Sequence, residues 1–274
     1  MKTCRHCEVH IPDHARHCPH CRGHQKRVDW APQATLVAAA GGVAFAVLFE
    51  SCPALPGAEP PVRATTEYVF IQQDLPTIAR LQYDGGGDWY ANPSSLPNLL
   101  AAINGRTEVH VASQPAEVRL TDPDLADYPY LYLTGHGDIR FSAAEREVLR
   151  SYLAAGGFLH ADDNYGLDES FREELGHLFP DRDLVDVPVE HPIYHIFYQL
   201  PEGLPKVHEH DAQPAQGLGI FLDGRLALYY TFQSDLGDGW EDPLVHGDPA
   251  EIRESSLRMG VNLFLYALSS SPAR

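Results

Sequence analysis

The chain has no cysteine beyond Cys52. Residues 53–274 therefore contain neither a disulfide nor a thiol nucleophile. Basic charge is scarce there too. Lys and Arg number 6 against 4 Asp and Glu in residues 1–52, which leaves 14 against 34, a net charge of −20, in residues 53–274. A region that acidic repels phosphate backbones, so no nucleic-acid partner is expected. Gly85, Gly86 and Gly87 lack the following lysine of a phosphate cradle and are flanked by acids. No HExxH signature and no internal repeat is present.

Four of the five cysteines crowd into the first 21 residues. Cys4 and Cys7, then Cys18 and Cys21, form a CxxC…CxxC pair. Four thiolates at this spacing close a tetrahedral zinc site. The segment resembles the short zinc ribbons at the N-termini of many bacterial proteins, although Glu8 and Arg22 replace the usual knuckle glycines. A piece of about 25 residues buries no core, so zinc would supply its folding energy, on the order of 10 kcal/mol.

Ala34 to Phe49 carries no charge, and counted from Trp30 the run reaches the length of a membrane span. Its Leu, Val and Phe residues favour insertion by roughly 3 kcal/mol. A cleaved signal peptide fits less well, because a zinc site precedes the run and no small-x-small cleavage site follows it. Arg22, Lys26 and Arg27 on one side and Glu50 on the other orient the anchor with the ribbon inside. The expected organisation is a zinc ribbon over 1–25, a transmembrane helix over 30–51, a Pro-rich linker over 52–66 and an α/β domain over 67–270. The expected location is the bacterial inner membrane, single pass, with the N-terminus cytoplasmic and the main domain extracytoplasmic.

Within that domain, Tyr130–Leu133 and Phe158–Ala161 read as strands around a helix that Ser142 and Glu145 cap and Gly156-Gly157 ends. This is a right-handed crossover in a parallel sheet. Further strands are expected at 68–71, 78–83 and 109–111, and a hairpin turns at Asp223-Gly224. Helices are expected from Ser94 or Ser95, over 168–178, and near the C-terminus. Strands alternating with helices make a doubly wound, mostly parallel α/β sheet. Four polar loops, YDGGGDWY, TGHGD, ADDNYG and SDLGDGWED, follow strands and are expected to meet at its carboxyl edge, where such folds bind ligands.

The stretches RLQYDGGGDWYANPSSLPNL, YPYLYLTGHGDIRFS, LRSYLAAGGFLHADDNYG, HPIYHIFY and MGVNLFLYAL resemble a bacterial family, the domain of unknown function 4159. That family is similar in fold to class I glutamine amidotransferases, whose sheet is flavodoxin-like, and to trehalose-utilisation-type domains. The resemblance implies a fold and no particular activity. The amidotransferases place a cysteine at the turn after the strand that corresponds to 157–162. Asp162 or Asp163 stands there instead, which excludes glutamine hydrolysis through a thioester.

Two kinds of site are compatible with these residues. The first is a catalytic or second divalent-metal centre of His136, Asp162, Asp163, His191 and His195, suited to a metal-dependent hydrolase. It takes Pro192 as a first helical position that puts His191 and His195 one turn apart. The simpler alternative is that His136 and the aspartates tie loop backbones together. The second is a ligand-binding surface of Tyr83, Asp84, Asp88, Trp89, Tyr90 and Asn92, suited to a small molecule or glycan, or else a scaffold for protein partners in a membrane assembly. Binding or scaffolding is preferred over catalysis. His208, Glu209, His210 and Asp211 alternate like a strand face able to bind metal, but read more simply as solvated surface.

Overall fold

A computed structural model describes residues 2–3, 10–11, 75–209 and 212–270. The zinc-ribbon cysteines, residues 30–51, the linker and the strand expected at 68–71 lie outside the described residues. Among those described, no helix is long and apolar enough to cross a membrane. The chain divides into two units, 1–67 and 68–274. In the first, β1 (Lys2–Thr3) pairs antiparallel with β2 (His10–Ile11).

The second unit is mixed α/β. Its strands are β3 (Ile78–Leu81), β4 (Ala116–Val118), β5 (Tyr130–Leu133), β6 (Phe158–Asp162), β7 (Val185–Asp186), β8 (Gln216–Leu222) and β9 (Arg225–Phe232). They form one sheet in the order β4-β3-β5-β6-β9-β8-β7. Pairing is parallel from β4 through β9, and β8 and β7 add antiparallel. The helices are α1 (Ser95–Arg106), α2 (Ala143–Ala154), α3 (Asp168–Leu178), α4 (Leu236–Trp240) and α5 (Ala250–Ser270).

Both faces of the sheet are covered, which is why β3, β5 and β6 are buried at every position. Leu131 and Leu133 of β5 point to the core of Leu149, Leu153, Phe171 and Leu175 from α2 and α3. Tyr130 and Tyr132 point to the opposite core, with Leu99 and Ile103 of α1 and Val261 and Phe264 of α5.

The β5–α2–β6 unit follows from its sequence. Ser142 Oγ accepts from the Glu145 amide at 3.2 Å, and Glu145 Oε2 accepts from the Ser142 amide at 2.8 Å. Gly156 takes φ +105°, and a Cβ on Gly157 would lie 2.3 Å from the Tyr152 ring. Ser142→Ala is expected to cost about 1 kcal/mol, a fall of about 2–4 °C in the thermal midpoint by calorimetry.

Three expectations need correction. Residues 109–111 are not a strand: the Asn104 side chain takes both backbone groups of Val111, at 3.0 Å each, and the neighbour of β3 is instead Ala116–Val118. His191 and His195 do not share an α-helical face, because only a 3-10 turn over Pro192–Tyr194 forms. SDLGDGWED is not all loop, since it contains the buried helix α4.

The carboxyl ends of β3, β5, β6 and β9 lie along one edge. Two antiparallel steps make β7 parallel to β9, so the long segment 187–215 also leaves from this edge and returns to it.

Candidate functional site

The loops after β3 and β5 are stitched together. Gly87 N donates to Asp138 O at 3.0 Å, Asp88 N to His136 O at 3.1 Å, and Arg140 N to Asp84 O at 2.6 Å. His136 is half exposed; its Nδ1 lies 3.2 Å from Asp88 Oδ2 and its amide donates to the same carboxylate. The proposed ligand set separates accordingly. Tyr83 is core, with its hydroxyl on Thr134 O, and Asp84 faces Arg119. Trp89 packs partly into the core, and Tyr90 stands 63% exposed against it. Asn92 turns inward.

Asp162, at the end of β6, is fully buried and accepts four hydrogen bonds. Oδ1 takes Thr231 Oγ1 at 2.6 Å and Leu236 N at 3.0 Å; Oδ2 takes Tyr132 Oη at 3.0 Å and Gly237 N at 2.6 Å. Burial pushes its pKa up to about 6, against the opposing pull of these donors. His160 sits behind it, hydrogen-bonded to Tyr130 Oη through Nδ1 and to Thr231 Oγ1 through Nε2. If Thr231 donates to Asp162, it accepts from Nε2–H, so Nδ1 accepts from Tyr130. Burial lowers the His160 pKa to about 3, which keeps it neutral. Asp163 Oδ2 accepts from Gln233 N at 2.8 Å, and burial raises this carboxyl to about 6 as well.

Two more carboxylates arrive on α4. Asp235, just before the helix, is 2% exposed. Its pKa is held well above the usual carboxylate range by burial, then by the charges of Asp238 and Asp162. The Asn164 side-chain amide lies against the Asp235 carboxyl, 2.8 Å from Oδ2. Asp238 accepts from Asn92 Nδ2 at 2.7 Å. His208, on the long segment before β8, brings Nδ1 to 3.0 Å from Asp238 Oδ2 and 3.9 Å from Asp235 Oδ2. One donor atom from each of His208, Asp235 and Asp238 falls within 4.8 Å of the others. His246 Nε2 lies 3.4 Å from Asp238 Oδ1 and 3.1 Å from Glu241 Oε2. Among the described residues, the ion-pair partners of Asp238 and Glu241 are histidines.

Backbone strain collects at the same place. Asn92, Gln233 and Asp235 take φ of 56°, 58° and 59° in the left-handed region. Such conformations persist where surrounding contacts over-determine them, and they concentrate at functional sites.

The residues expected to form a second metal centre are therefore not brought together as a set. Asp162 and Asp163 reach the acidic centre, while His136 pairs with Asp88. His191 caps its own turn by accepting from Ile193 N and packs on Tyr266 and Phe221. His195 is bonded to Val189 O and Gln199. The sequence reading missed Asp235, Asp238, Asn164 and His246, and set His208 aside as surface. The alternating histidines at 208 and 210 and the acids of SDLGDGWED were the available signal.

Fold and site together define an α/β domain with a mostly parallel sheet and a buried acidic cluster at its carboxyl edge. Residues 77–268 match the family described as Domain of unknown function (DUF4159), and the chain belongs to that family. No curated protein matches the chain.

Proposed function

We propose that the domain binds a divalent cation at the carboxyl edge of its sheet and uses it to hold an extracytoplasmic ligand. The observation that supports this best is the meeting of His208, Asp235 and Asp238 donor atoms within 4.8 Å, with both carboxylates buried. Buried carboxylates in mutual contact are costly unless neutralised, and a cation neutralises several at once. One imidazole with two carboxylates suits Zn²⁺ or Mn²⁺ and leaves positions open to water or ligand. A second reading, metal-dependent hydrolysis, follows if such a cation activates its bound water. The imidazole in the donor set favours it.

The wider setting belongs to the same proposal. Cys4, Cys7, Cys18 and Cys21 hold a structural zinc, residues 30–51 anchor the chain, and residues 52–66 space the domain from the membrane. The domain has the amidotransferase-like fold without the thiol, so it is no glutaminase.

The test uses full-length chain in detergent with the four ribbon cysteines changed to serine, so that ribbon zinc does not mask the result. Titration calorimetry with Mn²⁺ and Zn²⁺ is expected to give one site per chain. Asp238→Asn and Asp235→Asn, each confirmed folded by circular dichroism, are expected to weaken it at least about 100-fold, since loss of even outer-shell partners costs 10–100-fold. Unchanged affinity in both variants would remove this reading.

A further inference from the structure

Away from the cation site, the loop between β5 and α2 is pinned to the first turn of α3. Ile139 N donates to Ser170 Oγ at 3.0 Å, and Ser170 Oγ donates to Leu167 O at 3.1 Å. Asp138 and Arg140 flank Ile139, and Glu169 precedes Ser170, so this one contact gathers two carboxylates and a guanidinium. All three residues are exposed. Among the described residues, no hydrogen bond or ion pair engages the Asp138 carboxylate, the Glu169 carboxylate or the Arg140 guanidinium.

Asp138, Arg140 and Glu169 line one groove of about 550 Å³, whose other walls come from α2 and α3. That volume falls within the range of small-molecule sites. One ion pair in its lining is self-neutralised: Arg146 Nε and Nη2 donate to Glu174 Oε2 and Oε1 at 2.8 and 2.9 Å. The other acids are less well matched. Glu169, Glu173 and His177 recur every four residues on α3, so Glu173 stands about 6 Å along the helix from Glu169 on the same stripe. Glu173 Oε1 lies 3.9 Å from His177 Nε2, a long and exposed contact. None of His208, Asp235 and Asp238 lines the groove. It is a separate site.

We infer that this groove binds a basic amino acid of the lysine or ornithine kind. The inference goes beyond the cation-site reading and does not depend on it. The groove presents three carboxylates and one guanidinium that no strong internal pair neutralises. A ligand with one carboxylate and two ammonium groups has the opposite charges in a matching pattern. The Arg140 fork takes the carboxylate side-on. Asp138 and Glu169, held beside Arg140 by the Ile139–Ser170 contact, take the α-ammonium. Glu173, one helical turn further on, takes the side-chain ammonium, since that turn matches the spacing of the two nitrogens in ornithine or lysine. A diamine without a carboxylate leaves Arg140 without a counter-charge, and an acidic amino acid is repelled by the three acids.

The experiment titrates lysine, ornithine, norleucine, cadaverine and glutamate into the full-length chain in detergent, by calorimetry. Lysine or ornithine is expected to bind and glutamate is not. Norleucine lacks the distal ammonium and cadaverine lacks the carboxylate, so each binds at least about tenfold more weakly, the effect of losing one charged hydrogen bond. Arg140→Gln removes the advantage over cadaverine and Glu173→Gln removes the advantage over norleucine, each a fall of about tenfold. Both residues are exposed, so both variants keep the fold, which circular dichroism checks. No binding of lysine or ornithine at millimolar concentration, cadaverine binding as tight as theirs, or an affinity unchanged in both variants overturns the proposal. Mn²⁺ titrated separately into the same variants is expected to bind as in the parent, so failure here leaves the cation reading standing.

Discussion

At pH 8 a saturating divalent cation raises the unfolding temperature of the domain by about 5–10 °C, and at pH 5 most of that gain is lost. A cation at 100 times its dissociation constant stabilises the folded state by about 2.7 kcal/mol, and each kcal/mol moves the midpoint of a domain this size by about 2–4 °C. Protons compete for the same atoms. Asp235 has a pKa raised well above the usual range, so it gives up a proton before it can ligate, at a cost that grows as pH falls. The cation-free protein provides the baseline. Asp162 and Asp163 have folded pKa values of about 6, above the ordinary 3.8. Their contribution is fully present below about pH 4 and is lost as pH rises through 6, so moving from pH 8 to 5 stabilises by about 1 kcal/mol for each group. His160 works in the opposite direction. Its folded pKa of about 3 lies below the ordinary 6.5, so falling pH favours the unfolded chain, by about 2 kcal/mol at pH 5. These three groups nearly cancel, and the pH-dependent part of the cation effect falls to the ligands. Scanning calorimetry of the ribbon-cysteine variant at both pH values, with and without Mn²⁺, checks this. An equal shift at pH 5 and pH 8, or no shift at either, would contradict it.

Local chemistry carried much of the fold. Ser142 and Glu145 mark the start of α2, and Gly156-Gly157 its end, by rules that act over four residues. Those rules place β5 and β6 side by side and Asp162 at the carboxyl edge without any knowledge of distant partners. The failures came where a distant side chain decided the outcome. Asn104 reaches seven residues ahead to take the backbone of Val111, so an apolar run that reads as strand does not join the sheet. Pro192 does start a helical turn, but His191 packs on Tyr266 of α5, and the turn stops after three residues. The site was harder still. Asn92 meets Asp238 across 146 residues, and Leu236 meets Asp162 across 74. His208 comes from a segment whose place is set by the antiparallel return of β8, and no periodicity in its own sequence encodes that.

Asp162→Asn is expected to destabilise the domain by about 1–3 kcal/mol and to weaken the cation site about 10–100-fold, although Asp162 is outside the cation triad. The reason lies in its four donors. An asparagine oxygen in the Oδ1 position still accepts from Thr231 and from Leu236 N. The amide nitrogen in the Oδ2 position then faces Tyr132 Oη and Gly237 N. The tyrosine hydroxyl can rotate to accept, but a backbone N–H cannot, so one buried donor is left facing another. That lost contact holds the first turn of α4, where Asp235 and Asp238 lie on either side of Leu236 and Gly237. Loosening the turn widens the spacing of the two carboxylates that have to close on one ion. Thr231→Val is the control. It removes one donor to Oδ1 and strands His160 Nε2, yet leaves both α4 amides on the carboxylate. It should therefore cost comparable stability by urea unfolding with less than about a threefold change in Mn²⁺ affinity, against the tenfold or greater loss set by a disturbed ligand geometry. Equal losses of affinity in the two variants would mean that Asp162 acts through general stability and not by positioning α4.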